Sequence, residues 1–158
     1  MIKAILIDDE SHGLDTLNML LSEYCPEVQV MQQCASARKG LAAIEKFNPD
    51  VVFLDIEMPS MNGFELLEQL KEIRFSVIFT TSYDQYAIKA IRFSALDYLL
   101  KPIDREELIA AVKKAVQNIE QTLPQQLNIL LQKLNGSATA TQKIALPTME
   151  GLQMIPVD

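Results

Sequence analysis

The chain of 158 residues is poor in several features that mark particular protein classes. It has two cysteines, Cys25 and Cys34, too few for a disulfide framework, so a reduced cytoplasmic setting is expected and both are read as structural thiols. Its one histidine, His12, lacks cysteine or histidine neighbours, which argues against a transition-metal site and leaves a solvent-facing helix start as the default. Five glycines are scattered and build no phosphate-cradling loop, so nucleotide binding is unsupported. Uninterrupted apolar runs such as Ala4 to Ile7 and Val51 to Leu54 stay far short of the roughly 18 residues a membrane helix needs. The run from Met1-Ile2-Lys3 into Asp8-Asp9-Glu10 lacks the apolar core and cleavage site of a signal peptide. No membrane partner is expected.

Positive charge is also scarce, and unevenly so. Residues 1–121 carry 19 acidic and 12 basic groups, whereas residues 122–158 carry two of each. The net charge of −7 therefore belongs wholly to the first part. Such an acidic body is a poor match for sequence-independent DNA binding, which needs a positive face to release counterions. An apolar fraction of 49% with well-spread charge nonetheless predicts a folded domain with a real core.

Residues 1–121 alternate between two hydrophobic periods. Ile5-Leu6-Ile7 predicts a strand, and Leu14, Leu17, Leu21 and Tyr24 a helix after it. A weaker strand runs from Val28 to Cys34, followed by a helix marked by Leu41, Ile44 and Phe47. Val51-Val52-Phe53-Leu54 has the continuous β-prone character of a strand buried on both faces. Phe64, Leu67 and Leu70 mark a third helix, Val77-Ile78-Phe79 a fourth strand, Ala87, Ala90 and Ile91 a fourth helix, and Tyr98-Leu99-Leu100 a fifth strand. Leu108, Val112, Ala115 and Ile119 line a last helix, with Asp104 as its N-cap and two glutamates in its first turn. Five strands alternating with five helices predict an α/β, flavodoxin-like, doubly wound (βα)5 three-layer sandwich with a parallel sheet in the order 2-1-3-4-5.

The character changes after residue 121. Thr122-Leu123-Pro124 interrupts the helical pattern, because an interior proline lacks a donor and clashes one turn back. Residues 122–142 are read as a linker with a short helix over about 124–134, striped by Leu127, Leu130, Leu131 and Leu134, which packs or pairs. The spacings from Leu108 to Leu134 come close to a coiled-coil seam with one irregular step. Asn135 to Thr141 is flexible in composition. Residues 143–158 read as two short strands turning at Met149-Glu150-Gly151. A lone hairpin is marginal in water, so this segment is expected to open a further domain.

In a doubly wound sheet, ligands gather at the carboxyl ends of the strands. Those ends carry Asp8-Asp9-Glu10, Asp55-Ile56-Glu57, Thr80-Thr81-Ser82 and Lys101-Pro102. Three converging aspartates repel and raise one another's pKa unless a cation joins them. An all-oxygen donor set of this kind suits Mg²⁺. A carboxylate can also attack phosphorus, with metal and lysine neutralising the phosphoryl group in flight.

Taken together, Asp8-Asp9, the run Asp55-Ile56-Glu57-Met58-Pro59-Ser60-Met61-Asn62-Gly63, Thr81-Ser82 and Asp97-Tyr98-Leu99-Leu100-Lys101-Pro102 resemble the receiver domain of two-component response regulators, over residues 1–121. The resemblance implies that Asp55 is phosphorylated by a sensor histidine kinase or a small phosphodonor. It implies that Asp9 and Asp55 bind Mg²⁺ directly, Asp8 through water and Glu57 through its backbone carbonyl. Lys101 would pair with the phosphoryl oxygens, Thr81 move toward them, Tyr98 swing inward, and Lys101-Pro102 form a cis peptide. The tail, Ile144 to Leu152 and then Ile155-Pro156-Val157-Asp158, resembles the opening strands of a LytTR-type DNA-binding domain, and Phe79 to Lys101 is similar to receivers that precede one. The further ~100 residues of such a domain are not in the sequence, which is therefore read as truncated, with DNA contact left to the missing part.

Blander readings accompany each feature. Paired aspartates also suit a helix N-terminus, Met58-Pro59 with Gly63 also suits an ordinary turn, and Tyr98 also suits a half-buried strand position. Tyr83, Tyr86, Ile91 and Phe93 either pack in the core or leave an apolar face on which receivers pair, giving a homodimer through helix 4, strand 5 and helix 5. The expected function is a phosphorylation-activated switch, not an enzyme acting on other substrates, that controls transcription through dimerisation. The alternative is a stand-alone module whose phosphorylated face binds a protein. A phosphatase with an aspartyl intermediate fits less well, because position 57 is glutamate where an Asp-x-Asp pair would place its acid.

Overall fold

The computed structural model describes residues 1–119. The elements are β1 (Ile2–Ile7), α1 (Ser11–Tyr24), β2 (Val28–Cys34), α2 (Ala37–Phe47), β3 (Val51–Leu54), α3 (Gly63–Glu68), β4 (Ser76–Thr81), α4 (Ala87–Arg92) and β5 (Asp97–Leu100). Residues 105–119 are helical and are called α5. All strand pairs are parallel, in the order β2-β1-β3-β4-β5. This is the five-stranded, doubly wound arrangement that the alternating periods predict. The linker, the helix over 124–134 and the strands of 143–158 lie outside the described residues.

The central strands β1, β3 and β4 carry apolar residues on both faces because helices cover both. Every residue of β3 and β4 is buried. One core layer joins Leu6, Phe53 and Ile78 to Leu14, Leu17 and Leu21 of α1 and to Leu108, Ala111, Val112 and Ala115 of α5. The other joins Ile5, Ile7, Val52, Leu54 and Phe79 to Ala43 and Ile44 of α2, to Phe64 and Leu67 of α3, and to Ala90 of α4.

Local chemistry sets the element ends. Ser36 caps α2 by accepting from the Lys39 N–H at 3.2 Å, and Asn48 ends that helix in the left-handed region with φ of 50°. Asn62 and Glu65 form a reciprocal capping box at the start of α3. Asp104 accepts from the N–H groups of Glu106 and Glu107 at 3.0 Å, as its sequence position predicts.

Several stripe residues differ from the expectation. Leu70 lies beyond the end of α3, and Tyr24 reaches the surface, where its hydroxyl meets Arg105. On α4 only Ala90 is buried, while Ile88 and Ile91 are 68% and 74% exposed. Apolar spacing marks that helix correctly, but much of what it marks faces solvent.

Candidate functional site

The last hydrogen bonds of the sheet place the site. Asp8 donates its N–H to the Cys34 carbonyl at 3.0 Å, Asp55 to the Ile7 carbonyl at 2.9 Å, and Lys101 to the Thr81 carbonyl at 2.8 Å. Each chemical residue is thus anchored on the main chain of a neighbouring strand, where the register aligns Ile7 with Leu54 and Leu54 with Phe79. The loop after β3 turns back sharply, with the Gly63 N–H on the Ile56 carbonyl at 2.9 Å. A Cβ at residue 63 would stand 2.6 Å from the Asp55 carbonyl, so only glycine permits this approach.

One carboxylate oxygen from each of Asp8, Asp9 and Asp55 lies within 4.8 Å of the other two. Asp8 and Asp55 are buried, and Asp9 is half-buried. The Lys101 ammonium donates to Asp8 at 2.7 Å and to Asp55 at 3.3 Å, with Glu10 at 3.7 Å. The second oxygen of Asp8 accepts the Glu10 N–H at 2.9 Å. Buried anions at this density persist only with a cation among them.

The electrostatics follow from burial. Loss of water pushes the Asp55 carboxyl up to about 7; Lys101 opposes the rise and Asp8 adds to it. Burial works against the Lys101 ammonium, but its bonds to Asp8 and Asp55 outweigh that cost and hold its pKa above the ordinary lysine value. A second cation brought to the open side of the three carboxylates would favour ionised Asp55. Hard oxygen donors from short, rigidly held side chains fit a small divalent ion such as Mg²⁺.

The remaining predicted residues border this centre. Thr81 is fully buried, and its Oγ1 accepts the Tyr83 N–H at 3.3 Å. Tyr98 is half-buried, with its ring 6.5 Å from that of Phe79 and its hydroxyl donating to the Tyr83 carbonyl. The Tyr83 main chain thus joins Thr81 to Tyr98. Glu57 is exposed on the loop after Asp55, and the Lys101–Pro102 bond is cis. His12 is exposed; Cys25 and Cys34 are free and buried, and desolvation raises both thiols, Cys25 to about 11.

Sequence reasoning missed two members of this neighbourhood. Glu10 reaches Lys101, although in the chain it reads as a plain helix-start acid. Tyr86 donates its hydroxyl to the Glu57 carboxylate, a contact across 29 positions that no spacing rule marks.

A doubly wound sheet with an acidic cluster and a lysine at its carboxyl edge defines a class of phosphoryl-handling α/β domain. The family described as Response regulator receiver domain matches residues 4–113, and the chain belongs to that family. It is 33% identical to the sensory transduction protein LytT of Bacillus anthracis, in an alignment covering 100% of this chain and 63% of that protein. It is 42% identical to the transcriptional regulatory protein BtsR of Escherichia coli K12, covering 68% of this chain and 45% of that one. The chain therefore spans about half to two thirds of the length of these curated relatives. Among solved structures it is similar to the receiver domain of AraT, a response regulator from Geobacillus stearothermophilus. That likeness has 30% identity and a TM-score of 0.69, and covers 77% of this chain and 98% of that one.

Proposed function

We propose that this receiver accepts a phosphoryl group on Asp55 from a sensor histidine kinase and passes the change to a DNA-binding output domain. The observation that carries the reading is the set of three carboxylates within 4.8 Å facing the Lys101 ammonium. Asp8, Asp9, Asp55 and the Glu57 backbone carbonyl would hold Mg²⁺. The bound ion would supply positive charge against the phosphoryl oxygens.

The residues divide the work. An Asp55 carboxylate oxygen attacks phosphorus, the bond from phosphorus to the donor's imidazole nitrogen breaks, and the donor leaves with that electron pair. Lys101 sits beside Asp55 and pairs with a phosphoryl oxygen as charge develops. Water attacking the same phosphorus later regenerates Asp55, so the domain assists its own modification and its reversal. Thr81 turns toward the new group and gives up its bond to the Tyr83 N–H. Tyr98, bound to the carbonyl of that same residue, then swings inward, and the two together bias α4 between two arrangements.

We read residues 1–121 as the receiver, 122–142 as a linker and 143–158 as the opening strands of a LytTR-type domain. The receiver match ends at residue 113 while the alignment with LytT runs along the whole chain, which supports a shared segment beyond the receiver. Ile88, Ile91 and Leu100, all well exposed, support a homodimer through the face of α4, β5 and α5. No helix among the described residues is long and apolar enough to cross a membrane, in keeping with a cytoplasmic regulator. The test is light scattering with acetyl phosphate and Mg²⁺. The wild type should move from monomer to dimer and Asp55→Asn should not; equal dimerisation of the variant would refute the reading.

A further inference from the structure

Little holds helix α4 in place. Six residues cannot sustain a helix alone, only Ala90 is buried, and Tyr86 at the N-cap makes no side-chain cap bond. Its anchors lie on one side. The rings of Tyr86 and Phe93 stand 6.1 and 5.1 Å from that of Phe64, and the Lys89 ammonium is 4.8 Å from the same ring. A polar tie joins the start of the helix to the loop after β3: the Tyr86 hydroxyl donates to the carboxylate of Glu57, two residues past Asp55. Glu57 and Tyr86 border a cleft of about 260 Å³ together with Met58 and Glu65, so the start of α4 has open space on that side.

The segment before α4 is tied at its other end as well. Tyr83 donates its N–H to Thr81 and accepts from Tyr98. Movement of Thr81 toward Asp55 therefore pulls on residues 82–86 through the Tyr83 peptide. Glu57 lies in the loop after β3, whose path is held beside the sheet by the Gly63 N–H on the Ile56 carbonyl. The bond from Tyr86 to Glu57 thus joins a part that moves to a part that does not.

We propose that the Tyr86–Glu57 hydrogen bond is a latch that stabilises the unphosphorylated arrangement of α4, with both side chains acting as positioning residues for the reaction of Asp55. This rests on the receiver reading above. A bond made in one state only shifts the balance between states by its own worth. Solvent exposure reduces such a bond to the ordinary net worth of a side-chain hydrogen bond, which is roughly threefold to tenfold.

The test compares the full chain with Tyr86→Phe, which keeps the ring on Phe64, with Glu57→Ala, which keeps the backbone carbonyl, and with the pair. Intact mass follows phosphorylation by acetyl phosphate with Mg²⁺, and amide exchange is read across 82–92 beforehand. Each single change should raise the maximal rate roughly threefold to tenfold, leave the half-saturating donor concentration unchanged, and speed exchange in 82–92 alone. The pair should do no more than either single change. A Tyr86→Phe protein with wild-type rate and exchange overturns the latch, as do effects that multiply in the pair. If the wild type gains no phosphoryl group, the reading of Asp55 as phosphoacceptor fails instead. Exchange across 82–92 then decides the latch by itself, and unchanged exchange overturns it.

Discussion

The Lys101 ammonium stands 3.3 Å from the Asp55 carboxylate, although the two residues are 46 positions apart in the chain. The sheet makes this pair, because each residue hangs from the carbonyl of a neighbouring strand. Removing one partner of a buried pair leaves the other uncompensated. Lys101→Met is expected to slow phosphorylation of Asp55 about a hundredfold, the scale of losing one preorganised charge at a transferring group. Its melting point should fall further at pH 8 than at pH 5, where Asp55 can take up a proton instead. Phosphodonor kinetics and thermal melts at the two pH values check both expectations.

The metal-free protein should lose stability as pH rises. Asp55 is pushed up to about 7 in the fold from an ordinary 3.8, so between those values the folded state binds a proton that the unfolded chain does not. This contribution is full below the lower value and gone above the upper one. In urea titrations with chelator present, Asp55→Asn should lose less stability than the wild type between pH 5 and pH 8, by roughly 1–3 kcal/mol. Parallel curves for the two proteins would contradict the burial argument.

Mg²⁺ should offset that loss. A ligand present at a hundred times its dissociation constant stabilises a fold by about 2.7 kcal/mol. Thermal melts with and without Mg²⁺ should show a clear upward shift for the wild type and a much smaller one for Asp9→Asn. Asp9 is the most exposed of the three aspartates, so its substitution should cost little in the metal-free protein.

Phe64 packs between β4 and the end of α4. Its ring meets Phe79 of β4 at 4.9 Å and Phe93 beyond α4 at 5.1 Å, and it is almost wholly buried. Phe64→Ala should cost about 3–5 kcal/mol in urea unfolding. Asn62→Ala, which removes half of the capping box in front of it, should cost about 1 kcal/mol.

Most of the fold was legible because its signals are local. The run from Val51 to Leu54 has the β-prone character expected of a strand buried on both faces, and Asp104 could be read as a cap from the glutamates behind it. The convergence of Asp8, Asp9 and Asp55 followed from strand ends lying side by side. What escaped depends on direction and reach. Helical spacing marks Ile91 as apolar but cannot tell a core face from a face turned to solvent. The contact from Tyr86 to Glu57 depends on where two loops come to rest, and neither loop carries a periodic pattern.

The proposed switch depends on Asp55 as the phosphoryl acceptor of a site completed by Mg²⁺ and Lys101. The most direct test is peptide mass mapping after incubation with acetyl phosphate, with Mg²⁺ or with chelator. One phosphoryl group should appear on the peptide bearing Asp55, in the Mg²⁺ sample only, and Asp55→Asn should gain none. A phosphoryl group on another residue, or an equal yield with chelator, would rule out Asp55 as the Mg²⁺-dependent acceptor.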